Sequence, residues 1–350
     1  MVTIGADLHK RTHTLVAVDE HGARLAERTA SATPSGHLAL LCWAREHFAE
    51  RAWALEDCRH LSRGFERDLL AAGETVVRVP PRLMAGARRS GREPGKSDPI
   101  DALAVARAAL REPDLPVARL DGPERELRLL VDHREDLVAE RTRIEQRLRW
   151  HLHELMPGDE PPARALARTH VLASLETRLA DIPGTVARIA RASLVRVREL
   201  TSAIEALERE IAALVTAQAP TLLALPGCGP LTAAKLVGET AGIGRFKSRA
   251  AFARHNGSAP VPVWSGNETR HRLSRGGNRQ LNVALHRIAV TQLQRPGPGR
   301  AYLEQRMTAG DTRTEAIRAL RRRISDEVFR RMKHDEDLRA TSQEHLALAA

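Results

Sequence analysis

Four acidic residues are placed where they could act together: Asp7, Glu56, Asp98 and Asp101. Asp7 closes the apolar run from Val2 to Ala6 and Glu56 closes the run from Ala52 to Leu55. Each therefore stands at the end of a predicted strand, where carboxylates of neighbouring strands can converge. Asp98 and Asp101 are three residues apart at the head of the helical pattern Pro99 to Leu110 and share a helix face. Hard oxygen ligands of this kind suit Mg²⁺, and two-metal phosphoryl transfer requires acids that hold ions about 3.5–4 Å apart around a scissile phosphate. Each acid alone has a plainer reading. Asp98 before Pro99 makes a favoured helix N-cap, with Asp101 then at N3 near the positive end of the dipole. Asp7 reads equally as a hairpin-edge charge, and Glu56, followed by Asp57, as a solvated strand end. It is the order strand, strand, helix that makes the set a candidate metal site. His9 near Asp7 and His60 near Glu56 supply a histidine alternative, ranked below the carboxylates because no HxxxH or HExxH helix accompanies them.

A second group lies far downstream. Val263-Trp264-Ser265-Gly266 is followed by Arg270, Arg272, Arg275 and Arg279. A serine before glycine with cations beyond it has the parts of a nucleophile facing a phosphodiester, the hydroxyl attacking phosphorus while arginines neutralise the developing charge. The plain alternative for Ser265 is a serine in a β-turn, and Ser274 in Ser-Arg-Gly-Gly-Asn reads as a turn or a helix cap. Upstream, Leu225-Pro226-Gly227-Cys228-Gly229-Pro230 sets a Gly-rich turn immediately before a helical run. Such a turn, similar to the hairpin of helix-hairpin-helix DNA-binding motifs, offers backbone N–H groups of Gly227 and Gly229 to a phosphate. A tight turn between two packed helices is the alternative.

The elements that must carry these residues change character along the chain. Apolar runs between Val2 and Glu27, broken at His21-Gly22, predict a β-hairpin or meander. A helix from Ser35 to Phe48, a strand from Ala52 to Leu55, a helix around Leu61 to Ala71 and a strand from Thr75 to Val79 follow, which is a layered α/β pattern. The Arg- and Gly-rich stretch Gly86 to Lys96 reads as a basic loop. Beyond Pro116 come long charged helices, Glu124 to Leu155 and Ser193 to Thr216, and then an Arg-rich helical tail from Thr314 to Lys333. Leu200, Ile204, Leu207, Ile211 and Leu214 have coiled-coil seam spacing, which serves a helical hairpin within the chain as well as a dimer.

Composition points the same way. The 350 residues, 42% of them hydrophobic, supply two or three domain cores. A formal net charge of +11 fits a polyanionic partner, although only five of the 55 cations are lysine, an arginine excess that a GC-rich coding sequence gives by itself. Cys42, Cys58 and Cys228 form no CxxC pair, so a disulfide framework is disfavoured and a reducing cytoplasm is expected. No signal-peptide pattern or 18-residue apolar run is present, so membrane spanning is not expected.

Taken together, Ile4-Gly5-Ala6-Asp7, Leu55-Glu56-Asp57, Lys96-Ser97-Asp98-Pro99-Ile100-Asp101-Ala102, Leu225 to Pro230, and Trp264-Ser265-Gly266 through Gly276 and Asn278 resemble the transposases of insertion-sequence family 110. The resemblance covers about residues 2–110 and 220–290. It implies an α/β plus all-α chain: an RNase H-like (RuvC-like) DEDD domain over 1–118, a helical coiled-coil region over 119–218, a mainly helical, serine-bearing transposase domain over 219–305 and a basic helical tail over 306–350. It further implies that Asp7, Glu56, Asp98 and Asp101 bind Mg²⁺ and that Ser265 is the nucleophile of a DNA recombinase. By kinship it implies a structured bridge RNA pairing with donor and target DNA, and homodimers that assemble into tetramers. Two stretches depart from the family pattern: Asp57-Cys58-Arg59-His60, where many members have Ala-Thr-Gly, and Asn267-Glu268, where small residues are commoner. Two rival functions stand beside this one, a metal-only RuvC-like junction nuclease and an inactive nucleic-acid-binding remnant.

Overall fold

The computed structural model describes the chain except residues 57–60, 82, 85–96, 113, 114, 116, 120, 121, 163, 266, 267, 273–276 and 350; for 264, 265, 268–271 and 342–349 it describes the backbone. The basic stretch 86–96 and the departure 57–60 lie outside the described residues. The chain divides into two compact units, Met1–Gly122 with Arg245–Ala251, and Pro123–Gly244 with Phe252–Ala350.

The first unit is built on β1 (Val2–Leu8), β2 (Thr12–Val18) and β3 (Arg24–Ser31), then α1 (Pro34–His47), β4 (Arg51–Glu56), α2 (Arg63–Ala71), β5 (Val76–Val79) and α3 (Asp98–Arg111). The sheet order is β3-β2-β1-β4-β5, with β1, β2 and β3 antiparallel in sequence and β4 and β5 parallel to β1. Three meandering strands followed by two parallel ones, with helices on both faces, form the RNase H-like fold. The meander turns where expected, with Gly22 at φ +79°, a conformation that favours glycine.

Strand alternation assigns the two faces of the sheet. Ile4, Ala6, Leu8, Leu15, Ala17, Trp53 and Leu55 pack with Leu40, Leu41 and Ala44 of α1 and with Phe65 and Leu69 of α2. The opposite face carries Val16 and Val18 against Ala102, Leu103 and Ala106 of α3, and Ala54 and Val79 against Ala104, Val105 and Ala108. Gly5 is the point of nearest approach on that face. A Cβ there would stand 2.2 Å from the Ala102 carbonyl oxygen and 2.5 Å from the Ala106 nitrogen, so α3 lies directly on the β1 backbone. Farther along α3, Arg107 Nε donates to the Gly22 carbonyl oxygen at 2.9 Å and ties the helix to the β2–β3 turn.

On the α1 and α2 side, His13 is 2% exposed and its Nε2 lies 3.2 Å from His37 Nε2, while His37 Nδ1 lies 2.6 Å from Asp68 Oδ2. Burial and the neighbouring His37 push His13 down to about 4. This chain of three side chains stitches β2, α1 and α2 together from positions 24 and 31 residues apart.

Among its described residues the second unit is helical apart from one hairpin. α4 (Pro123–Leu155), α5 (Thr169–Ala180) and α6 (Thr185–Gln218) share a core of Leu148, Leu152, Leu172, Leu175, Leu179, Ala190, Leu194 and Val197. α4 and α6 run antiparallel, as the pairs Arg134 with Glu208 and Arg141 with Thr201 show. Leu200, Ile204 and Ile211 are buried, and Leu207 and Leu214 half-buried, on a helix packed along α4, so the seam spacing serves a hairpin within the chain. α7 (Pro220–Leu223), α8 (Pro230–Thr240), α9 (Arg249–His255, in this unit from Phe252), β6 (Val261–Ser265), β7 (Glu268–Arg272), α10 (Arg279–Leu293), α11 (Pro298–Thr308) and α12 (Arg313–Ala349) complete the chain. Lys235 of α8 is 6% exposed and donates to both carboxylate oxygens of Glu135 on α4 at 2.6 Å, which satisfies a cation that burial would otherwise penalise. Among the described residues no helix is long and apolar enough to cross a membrane.

The β1–α3 contact yields a stability prediction. Gly5→Ala must push α3 off the sheet and is expected to lower unfolding free energy by about 2–3 kcal/mol, toward the upper end of overpacking costs. Gly229→Ala, whose Cβ meets nothing within 4 Å, should stay within about 0.5 kcal/mol of the parent. Denaturant titration of the two variants makes the comparison.

Candidate metal centre and the serine hairpin

The β1–α3 contact sets the acids beside one another. β1 runs past Gly5 to Asp7, its penultimate residue and 7% exposed, while α3 begins at Asp98 and turns Asp101 inward to 5% exposure. The helix does not start as the capping reading supposes. Ser97 holds the N-cap position, Asp98 and Pro99 open the first turn, and the Asp101 N–H donates to the Ser97 carbonyl oxygen at 3.0 Å. With the cap position filled by its neighbour, the Asp98 carboxylate reaches across to β1 instead: its Oδ1 lies 3.3 Å from His9 Nε2, which is also 3.1 Å from Asp7 Oδ2. One ligand atom from each of Asp7, His9 and Asp98 falls within 4.8 Å of the others.

Glu56 ends β4 one residue beyond the Ala6–Leu55 pair, so strand register puts it next to Asp7 on the face that α3 covers. Burial pushes the Asp7 carboxyl above the ordinary carboxylate value; the adjacent His9 opposes this, and the charges of Asp101 and Asp98 add to it. The charged form of Asp7 is therefore costly where it lies, and a divalent cation at this place would offset that cost. The group that converges, Asp7 of β1 and Asp98 of α3 with His9 between them, fits such an ion and has an exposed side at Asp98 and His9; Glu56 and Asp101 are not among the ligand atoms brought within 4.8 Å.

In the second unit β6 and β7 pair antiparallel in the register Val261–Arg272, Val263–Arg270 and Ser265–Glu268. Ser265 is the last residue of β6 and pairs with Glu268, the first residue of β7. The register sets positions 265, 270 and 272 on one face of the ribbon. Arg272 is exposed, Arg279 is the exposed first residue of α10, and Arg275 lies outside the described residues. Asn278 caps α10, its side-chain oxygen accepting from Gln280 N and Leu281 N, and its Nδ2 donating to Glu239 at 2.8 Å. Gly277 lies so close to Gly257 that a Cβ would come within 2.2 Å of the Gly257 nitrogen, which anchors the returning chain.

The glycines of the turn before α8 have different jobs. Gly227 takes φ +83° and lies against Ile288 and Thr291 of α10, where Gln292 Nε2 also donates to the Pro226 carbonyl at 2.8 Å. Gly229 is the N-cap of α8 and faces open space. Between them Cys228 is buried, and burial pushes its thiol up to about 12, so it is no nucleophile.

Comparison with known proteins now bears on what these two regions are for. Residues 4–157 match the family model of DEDD transposases of IS110, described as "Transposase", and residues 219–304 match the model "Transposase IS116/IS110/IS902 family". The 44.8 kDa protein of insertion element IS116 from Streptomyces clavuligerus is 30% identical over 94% of this chain and 94% of its own length. The chain belongs to the IS110 family of transposases. The 42 kDa protein of IS900 from Mycobacterium paratuberculosis is 27% identical over 92% of the transposase and 93% of its own length. The 43.6 kDa protein of IS110 from Streptomyces coelicolor is 30% identical over 66% of the chain and 69% of its own. Among solved structures, Thermus thermophilus RuvC in complex with Holliday junction substrate is 18% identical, with a TM-score of 0.27, over 34% of the transposase and 99% of RuvC.

Of the sequence candidates, the structure brings Asp7 and Asp98 together and sets His9, ranked below the carboxylates, between them. The signal for His9 is its spacing: two residues after Asp7 and just past the end of β1, a side chain in a tight turn can fold back on that acid.

The raised Asp7 carboxyl gives a pH-dependent prediction for the transposase without metal. The fold disfavours the charged form, so stability falls as pH rises through the folded value. Asp7→Asn, uncharged and of the same shape, should therefore unfold at a higher temperature than the parent at pH 8 in chelator. The gain should vanish below the ordinary value of 3.8, and added divalent cation should reverse the order by stabilising the parent alone.

Proposed function

We propose that this IS110-family transposase cuts and rejoins DNA through a covalent link to Ser265, with Asp7, Glu56, Asp98 and Asp101 as the ligands of Mg²⁺. The observation that carries the reading is the convergence of Asp7 and Asp98, with Asp101 buried beside them, in a chain whose other family-matched segment holds Ser265 at the end of a strand.

In the step proposed, Ser265 Oγ forms a bond to phosphorus as the bond from phosphorus to a deoxyribose oxygen breaks. The Oγ proton passes to a general base, and the departing strand end takes up a proton to become a hydroxyl. Rejoining reverses this: a strand hydroxyl attacks the phosphoserine and Oγ leaves with its proton restored. The phosphoserine keeps the bond energy, so neither ATP nor water enters the exchange. Mg²⁺, when bound, supplies positive charge to the phosphate oxygens. Arg270, Arg272, Arg275 and Arg279 hold flanking phosphates, and the turn at Gly227 and Gly229 meets the backbone at the head of α8.

Kinship supports the partners: donor and target DNA, a structured bridge RNA pairing with both, and a homodimer assembling to a tetramer. In this reading residues 1–118 carry the carboxylates, 119–218 the helical region, 219–305 the serine and 306–350 the basic tail. Base pairing would carry target choice, leaving the protein side chains to read backbone and shape.

The test uses wild type and Ser265→Ala with Mg²⁺, labelled DNA spanning the gene's own flanks and RNA transcribed from them. A denaturant-resistant, RNA-dependent protein–DNA adduct should form with wild type and fall at least about 10³-fold in Ser265→Ala, as for loss of a nucleophile. Cleavage by both proteins without an adduct would assign the chemistry to metal-dependent hydrolysis. An adduct retained by Ser265→Ala would remove Ser265 from the role.

A further inference from the structure

We infer that His9 is a direct nitrogen ligand of the cation held by the β1–α3 acids, and that this makes the site bind Mn²⁺ in preference to Mg²⁺. The inference rests on the reading that Asp7 and the acids of α3 hold a divalent cation. It adds a donor outside the four carboxylates and an order of ion preference.

Three observations support it. His9 is delivered by the β1–β2 turn, where its backbone N–H donates to the Thr12 carbonyl at 3.0 Å, so the ring comes from an ordered hairpin. Its Nε2 faces two carboxylates from two other elements at once, Asp7 at the end of β1 at 3.1 Å and Asp98 on α3 at 3.3 Å. One Nε2–H can be aimed well at one acceptor, whereas two acids around a single ring nitrogen is the arrangement that a shared cation creates. The distances fit such an ion, because adjacent ligands of an octahedral ion with bonds of about 2.1 Å stand about 3.0 Å apart.

Imidazole in a mainly carboxylate site changes which ion fits best. Mg²⁺ takes oxygen ligands and gives up water reluctantly, whereas Mn²⁺ accepts both carboxylate oxygen and imidazole nitrogen. A nitrogen ligand therefore raises Mn²⁺ affinity and adds little for Mg²⁺. The competing role for His9, a cationic ring that occupies the metal's place and bridges the two acids, predicts the opposite effect of removing it.

The experiment titrates Mn²⁺ into the full-length protein, following free Mn²⁺ by its electron paramagnetic resonance signal, with Mg²⁺ as competitor. It is run on wild type, His9→Ala and Asp7→Asn, and pulsed measurements detect ¹⁴N coupled to bound Mn²⁺. Wild type should bind Mn²⁺ at least tenfold more tightly than Mg²⁺ and show imidazole ¹⁴N coupling. His9→Ala should bind Mn²⁺ roughly tenfold more weakly, lose the coupling and keep its Mg²⁺ affinity within about threefold. Unchanged or tighter Mn²⁺ binding by His9→Ala, or bound Mn²⁺ in wild type without imidazole coupling, overturns the assignment. The carboxylate reading is tested separately by Asp7→Asn. If that variant loses Mn²⁺ while His9→Ala binds as wild type does, the His9 assignment alone falls; if Asp7→Asn also binds as wild type does, or wild type binds neither ion, both fall.

Discussion

The approach of α3 to the bare backbone of β1 at Gly5 is the constraint on which the rest of the first unit depends. A helix normally rests on a sheet through a layer of side chains. Here a Cβ at position 5 would overlap the Ala102 carbonyl at 2.2 Å and the Ala106 Cβ at 2.8 Å, so the layer is missing along that line. The Ala-rich face of α3, with Ala102, Ala104, Ala106 and Ala108 buried, is what permits it. The consequence appears at the ends of the two elements. Two residues beyond Gly5 the strand presents Asp7, and one turn before Ala102 the helix presents Asp98, near enough for one imidazole to touch both. Side-chain volume at the contact thus decides carboxylate separation at the site.

That geometry also accounts for the electrostatics. Asp7 and Asp101 are both almost fully buried, and burial is the leading reason that the Asp7 carboxyl is held above its ordinary value. Elsewhere in this unit buried acids meet cations directly: Glu74 accepts from Arg45, Arg51 and Trp53, and Glu66 from Arg78. Asp7 has only the half-exposed His9 and two further acids around it in the described contacts. The charged form of Asp7 is costly where it lies, and this is the cost that the proposed cation would offset.

Much of this was legible in the chain. The apolar runs before Asp7 and Glu56 mark β1 and β4, although β1 runs on to Leu8, the i, i+3 pair Asp98 and Asp101 falls in the first turn of α3, and the strands and helices of the first unit follow hydrophobic alternation. What sequence could not give is what depends on contacts between distant positions. The chain His13, His37 and Asp68 joins residues whose spacing has no period, and nothing local marks His13 as a buried neutral ring. The N-cap of α3 differed by one residue, which moved Asp98 from a capping role to a facing one. Ser265 reads as a turn residue because Gly266 follows it; its pairing with Glu268 adds that it closes β6. The seam on α6 was visible, but only the packed structure shows it engaged by α4 of the same chain.

The claim on which this account turns is that the β1–α3 contact builds a cation site from separated carboxylates. Anomalous diffraction from Mn²⁺-soaked crystals of the full-length protein tests it most directly. The account predicts a peak within about 2.5 Å of the Asp7 carboxylate, shared with at least one carboxylate of α3. No peak at that place, from protein that cleaves DNA in the same Mn²⁺ solution, would contradict it.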